Sequence, residues 1–284
     1  MLPPSTSPTR AVITGAASGL GRAFALELAR PGAALILGDV DLTGAEATAD
    51  KARAAGARVT ALRCDVSRVD DVRALATASD ALGQGEELVI NCAGVAVSGE
   101  VGVVPLEDWR HIVEINLMGV VHGCHVFAPR MRTARSGHIL NVASLAGLLG
   151  TPGMAPYNAT KFAVVGLSEA LLQELAPHGV GVTVLCPSFF PTNIVEAARR
   201  HGGGDEVNVA RALMAESKLD AAGVARAALD ACRKGRFYSV PMADAKAAWA
   251  AKRASPELWV KTLAPRLADL LRRRFANKPT PNEA

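Results

Sequence analysis

The chain has 284 residues, half of them hydrophobic, with 31 basic and 27 acidic side chains and a net charge of +4. That length suits one large α/β domain or two small ones, with enough apolar residues for a sizeable core. The mild charge, with both signs mixed, argues against a nucleic-acid partner.

Residues 1–9 (MLPPSTSPT) read as a disordered tail without the basic and apolar regions of a secretory signal. Arg10–Thr14 is expected to be a strand, and Leu20–Arg30 a helix stopped by Pro31-Gly32. Ala34–Asp39 is the next strand, Thr43–Ala55 a helix ended by Gly56, Arg58–Arg63 a third strand and Val69–Leu82 a third helix. Glu87–Asn91 is a fourth strand, followed by one long helical stretch, Leu106–Arg132. His138–Ala143 and Val182–Cys186 are strands flanking a Tyr157–Ala176 helix, and Phe237–Val240 is a short late strand. The strands are near-continuous apolar runs, which suits a sheet covered on both faces. Repeated β-α-β alternation then predicts a parallel sheet with helices on both sides.

No repeat or linker divides residues 10–241, so a single domain is expected there. Residues 189–218 are less regular, contain Gly202-Gly203-Gly204 and are expected to form a substrate-binding lid. No apolar stretch is read as reaching the roughly 20 residues that span a bilayer. Cys64, Cys92, Cys124, Cys186 and Cys232 are odd in number and lack CxxC spacing. They read as reduced thiols of a cytoplasmic protein.

The first strand runs into Thr14-Gly15-Ala16-Ala17-Ser18-Gly19-Leu20-Gly21 and then a helix. Glycines here permit a tight turn and close approach of a diphosphate, and the helix N-terminus behind them supplies N–H donors. Alone, such a turn is also compatible with an ordinary Gly-rich connection. Its place after the first strand favours a nucleotide site. Asp39 ends the second strand, where a carboxylate can accept from adenosine ribose hydroxyls and repel a 2′-phosphate. This favours NAD over NADP, and Arg22 is the one nearby cation that weakens the preference. Asp65 can reach an adenine amino group or simply cap the following helix.

Tyr157 and Lys161 stand four residues apart, on one helical face, with Ser144 thirteen residues before the tyrosine. A cation beside the phenol is expected to lower its pKa from about 10, making a proton-transfer pair. The pair alone also fits an amphipathic tyrosine beside a solvated lysine. In combination with Thr14–Gly21, Asp39, Cys64-Asp65-Val66, Asn91-Cys92-Ala93-Gly94, Asn116, Ser144 and Tyr157-Asn158-Ala159-Thr160-Lys161, the chain resembles the short-chain dehydrogenase/reductase family over roughly residues 10–241.

The resemblance implies a Rossmann-like, doubly wound α/β fold of about seven parallel strands. It implies Tyr157 as general acid/base, Lys161 tuning it and holding the nicotinamide ribose, and Ser144 orienting the substrate oxygen. Asn116 would hold a water that relays protons to Lys161. Gly15, Ser18, Gly19, Leu20, Gly21, Asp39, Asp65, Val66, Asn91, Ala93, Gly94, Pro187 and Thr192 would line the cofactor with Tyr157 and Lys161. Three departures stand out: Cys92 for a second Asn, Ser188 where Pro-Gly is usual, and Pro31 where a helix often continues.

The expected activity is oxidoreduction between a hydrophobic secondary alcohol and its ketone with NAD. Phe189, Phe190 and Met214, with Val95 and Met154, suggest the apolar substrate. Alternatives are an NADPH-dependent carrier-linked 3-oxoacyl reductase docking through Arg130, Arg132 and Arg135, and a non-catalytic NAD-sensing regulator. A homodimer or homotetramer is expected by resemblance. His122, Cys124 and His125 cluster on one helix, but no metal site is expected. Residues 242–284 are expected to be a helical extension broken at Pro265. Its apolar stripe suits packing over the pocket first, a subunit interface second and peripheral membrane contact last.

Overall fold

The computed structural model describes residues 10–82, 87–202 and 206–275. The tail 1–9, residues 276–284 of the extension and 203–205 of the lid lie outside the described residues. The chain begins β1 (Arg10–Thr14), α1 (Gly19–Leu28), β2 (Ala34–Asp39), α2 (Leu42–Ala54), β3 (Arg58–Arg63), α3 (Val69–Asp80) and β4 (Glu87–Asn91). It continues with β5 (Val97–Ser98), α4 (Leu106–Val113), α5 (Gly119–Ala134), β6 (His138–Val142), α6 (Ala155–Leu175) and β7 (Gly181–Leu185). Last come β8 (Arg199–Arg200), α7 (Glu206–Ala215), α8 (Ala221–Arg233), β9 (Tyr238–Ser239), α9 (Ala243–Ala254), α10 (Pro256–Leu258) and α11 (Ala264–Phe275).

Seven parallel strands form one sheet in the order β3-β2-β1-β4-β6-β7-β9. Alternate side chains leave each strand on opposite faces. On one face Ile13, Leu35, Leu37, Leu88, Ile90 and Leu140 meet α1, α2 and α8. On the other, Val12, Ile36, Val89, Ile139, Val182 and Val184 meet α3, α5 and α6. Each such fully buried side chain contributes roughly 1.5–3 kcal/mol. This is a Rossmann-like α/β fold. The chain order reverses between β1 and β4, so the crevice at the carboxyl ends of those strands is where a ligand binds in such sheets.

Several elements differ from the sequence expectation. The long helix is interrupted at Glu114–Met118 by a π turn, which separates α4 from α5. The pairing of β5 with β8 and the helix α8 were not foreseen. The extension breaks at Ser255-Pro256 rather than at Pro265. From Pro256 the chain stays helical to Phe275 through a π turn at Trp259–Leu263, with the Ala264 N–H donating to the Trp259 carbonyl. This widened turn accommodates a proline that lacks the N–H of a regular helix. Finally, Leu106–Ala134 is long and apolar enough by composition to cross a membrane, contrary to the expectation that no stretch would be. Its apolar side packs on α3, α6, β4 and β6.

Candidate active site

The turn after β1 is shaped by contacts only glycine permits. Gly15 has φ +72°, and a Cβ there would stand 2.8 Å from the Ala93 Cα. A Cβ on Gly21 would stand 2.0 Å from the Gly15 carbonyl oxygen. The turn therefore folds onto the start of α1 and against the loop after β4. A Cβ on Gly19 would meet nothing within 4 Å, so the rim above the helix N-terminus is open. Ser18 occupies the N-cap in an extended conformation without a side-chain cap bond. The Leu20 side chain is buried in the core, leaving only its backbone to face a ligand.

Thr14, which sequence reasoning treated only as part of the motif, ties this turn to β4. Its hydroxyl accepts from the N–H groups of Cys92 (3.0 Å) and Ala93 (3.3 Å). Asp39 accepts from the Ala17 N–H at 2.8 Å and the Asp41 N–H at 2.9 Å, which fixes its carboxylate at the rim of the turn. Arg22 is engaged elsewhere: its Nε donates to Thr48 Oγ1 at 3.1 Å and its Nη2 to the Ala17 carbonyl.

Asp65 lies in the turn before α3 and does not cap that helix; it accepts from the Ser67 hydroxyl (2.7 Å) and N–H (3.0 Å). The Ser67 hydroxyl holds its carboxyl below the usual range. The Val66 side chain is buried in the core. Asn91 shares a face with Val89, so its side chain points into the α5 face, where Nδ2 donates to Asn141 Oδ1 at 2.8 Å. Any part it takes in holding a ligand comes from its backbone.

The residues expected to be catalytic converge at the carboxyl edge. Ser144 follows β6 and caps the next turn, its hydroxyl accepting from the Ala146 N–H at 3.1 Å. Tyr157 lies in the first turns of α6, and Lys161 is one turn on, its Nζ 5.7 Å from the tyrosine ring centroid. Lys161 is 4% exposed and donates to the Val142 carbonyl at 3.0 Å. Burial pushes its ammonium down to about 8. A Cβ on Gly94 would be 3.5 Å from Lys161 Nζ, so glycine keeps the space beside the amine clear. Contrary to the sequence expectation, Tyr157 is raised rather than lowered. Burial drives the shift, and the Ser144 hydroxyl offsets part of it. Helical spacing revealed the neighbouring cation but not the desolvation of both groups.

Asn116 sits in the π turn and is fully buried. Its Oδ1 accepts from the Val95 N–H at 2.8 Å, and its Nδ2 donates to the Val95 carbonyl at 2.9 Å. The side chain is thus a two-way clamp on the loop after β4. Asn116→Ala would leave both Val95 groups unsatisfied, at about 1–3 kcal/mol each. Urea unfolding is expected to show a loss of at least about 2 kcal/mol.

On the substrate side, Val95, Trp109 and Tyr157 pack against the same small cluster of Val97, Val104 and Ile112; Trp109 was not anticipated. Phe189 is 37% exposed, whereas Phe190 is 8% exposed and packed in the α1/α8 core. Phe190 is therefore removed from the expected substrate-facing set, because its side chain is buried in the core between α1 and α8. Thr192 accepts weakly from the Ile194 N–H at 3.4 Å, and the Pro187 carbonyl accepts from the Leu145 N–H at 2.8 Å. His122 is bonded to the Val66 carbonyl at 2.8 Å, Cys124 is buried beside Asn141, and His125 is exposed. Arg130 pairs with Asp80.

The family model for short chain dehydrogenases matches residues 9–202, more than half of the chain. SadH of Mycobacterium tuberculosis, an oxidoreductase by name, is 42% identical over 198 residues, covering 69% of this chain and 72% of SadH. A crystal structure of a short-chain dehydrogenase/reductase from Burkholderia phymatum in complex with NAD is 39% identical, with a TM-score of 0.81 over 89% of this chain and 95% of that one. A Sphingobium yanoikuyae short-chain dehydrogenase in complex with NADPH is 27% identical, with a TM-score of 0.71 over 89% of this chain and 96% of that one. The chain belongs to the short-chain dehydrogenase/reductase family of oxidoreductases.

Proposed function

We propose that the protein is an NAD-dependent oxidoreductase interconverting a hydrophobic secondary alcohol and its ketone. The observation that carries this reading is the buried Tyr157–Lys161 pair beside Ser144 at the carboxyl edge of the sheet. The open rim above Gly19 and the Asp39 carboxylate beside it fit a dinucleotide. There the N-terminus of α1 would hold the diphosphate, Asp39 the adenosine ribose and Lys161 the nicotinamide ribose. When bound, NAD supplies the hydride acceptor for the carbinol carbon.

The chain's own residues position the alcohol and move its proton. Ser144 donates to or accepts from the substrate oxygen, and Tyr157 takes the hydroxyl proton in oxidation or returns it in reduction. The ammonium of Lys161 stabilises the phenolate as it forms. Trp109, Val95 and Phe189 supply apolar surface for the carbon skeleton. The test is an absorbance screen of secondary alcohols and ketones with NAD(H) and NADP(H) in parallel. Turnover of none of them, with NADH still binding, would refute the reading.

Asp39 carries the cofactor preference, since Arg22 is held by Thr48 and Ala17 rather than facing a 2′-phosphate. Asp39→Asn removes the charge and keeps an acceptor. The ratio of kcat/KM for NADP to that for NAD is expected to rise about tenfold or more, as for relief of a like-charge contact. An unchanged ratio would refute the role. Assembly as a homodimer or homotetramer belongs to the same reading, with light scattering as its measurement.

A further inference from the structure

Asp108 lies in the first turn of α4 and is only 5% exposed. Its two oxygens accept from two side chains of the segment that follows β7. Oδ1 takes Arg199 Nη1 and Oδ2 takes His201 Nε2, each at 2.5 Å. Backbone bonds enclose this cluster. The Arg199 N–H donates to the Ala96 carbonyl at 3.1 Å and the His201 N–H to the Ser98 carbonyl at 2.9 Å, so β8 lies parallel on β5.

The stitching continues into the active site. The Gly99 N–H donates to the Gly153 carbonyl at 2.7 Å, and Gly99 bridges to Met154, the residue before α6 and its Tyr157. At the other end of β5, Val95 is clamped by Asn116 and packs, as Tyr157 does, against the cluster of Val97, Val104 and Ile112. Residues 95–99 therefore touch the lid, the clamp and the start of the catalytic helix. Gly99 has φ +144°, and a Cβ there would stand 2.7 Å from the His201 carbonyl and 2.7 Å from Val104 Cγ2. The seat for the lid admits no side chain at this point.

We propose that Asp108 is a positioning residue for the substrate. By holding Arg199 and His201 it seats β8 on β5, and so fixes the lid relative to Tyr157 and the apolar surface of Val95 and Trp109. The proposal rests on the alcohol-oxidising reading above, but the seating itself can be measured without turnover.

The test uses the full chain with Asp108→Asn, which keeps the shape and removes the charge. With cyclohexanol as the probe alcohol, KM is expected to rise about tenfold, while NADH affinity stays within about twofold of the original chain. Trypsin cleavage after Arg200 is expected to accelerate by at least about fivefold, because a local opening becomes more populated. Arg199→Gln alters a half-exposed side chain outside the core, and is expected to reproduce both shifts. Asp108→Glu is expected to recover part of them.

Unchanged KM and unchanged cleavage in Asp108→Asn would overturn the proposal. So would a joint fall of NADH affinity, melting temperature and activity in both variants, which is general loss of fold rather than loss of a seat. If the original chain oxidises no alcohol, the functional reading fails. The cleavage rates of the two variants then still decide whether Asp108 seats the lid.

Discussion

Tyr157→Phe is expected to lower kcat by about a thousandfold or more, within the upper range of what a positioned acid/base contributes. The variant keeps the ring that packs against Val97, Val104 and Ile112, so folding stability is expected to change by less than about 1 kcal/mol. NADH binding, followed by fluorescence, is expected to survive. This separates loss of proton transfer from loss of the site. A Phe variant retaining more than about a tenth of the activity would refute the assignment.

Ser144→Ala is a useful companion. It removes an orienting hydroxyl and a cap on the Ala146 N–H, at about 1 kcal/mol of stability, but not the proton carrier. Its loss of turnover is expected to be smaller than that of Tyr157→Phe. The acid/base part proposed for Tyr157 fixes the sign of the pH dependence, and its raised pKa keeps the phenol form dominant toward higher pH. Oxidation needs the phenolate and is expected to accelerate as pH rises. Reduction needs the phenol and is expected to slow over the same range. Initial rates measured in both directions check this.

Much of the fold is legible in the chain because its strands are short apolar runs bounded by Gly, Pro or charged residues. Arg10–Thr14, Ala34–Asp39, Arg58–Arg63 and Glu87–Asn91 begin and end where the composition changes. What escaped is non-local or too short to show a period. A two-residue strand such as Val97–Ser98 is defined only by its partner Arg199–Arg200, a hundred residues away. The π turn at Glu114–Met118 leaves no mark in the helical pattern, because both flanking helices keep their apolar faces. Pro265 was read as a breaker by residue type, while the widened turn before it was invisible.

The site was legible as a set of residues, less so as an arrangement. The motif spacing led to the Ser144–Tyr157–Lys161 group and the glycine turn, because helix and turn geometry are local. Strand parity could have placed Asn91: it shares a face with Val89, and its register partner is Asn141, so the two amides meet inside the core. The direction of the Tyr157 shift depends on how many apolar atoms surround it, which no spacing encodes. Asp108 carried no motif at all. Its proposed part comes from burial beside an arginine and a histidine that lie far along the chain.

Lys161→Met is expected to destroy turnover and stabilise the fold together. Burial pushes the ammonium from an ordinary 10.5 down to about 8, which corresponds to a cost of about 3 kcal/mol for keeping the charge at neutral pH. Methionine has a similar length and no charge to desolvate. It also gives up the bond from Nζ to the Val142 carbonyl, worth about 1 kcal/mol, so the net gain is expected to be about 2 kcal/mol.

The sign follows from linkage. Below pH 8 the lysine is charged in both folded and unfolded chains, and the burial cost is present in full. Between about 8 and 10.5 the folded protein releases its proton first, so the original chain gains stability as pH rises. The advantage of the variant is therefore largest at neutral pH and closes toward 10.5. Urea unfolding at both ends of that window checks it. A variant less stable than the original chain at neutral pH would refute the desolvation cost. Activity within about tenfold of the original would refute the part given to the cation in proton transfer. On the proposed function, Lys161 joins Tyr157 as a buried group whose charged form its surroundings disfavour, with stability given up at the same position where reactivity would be gained.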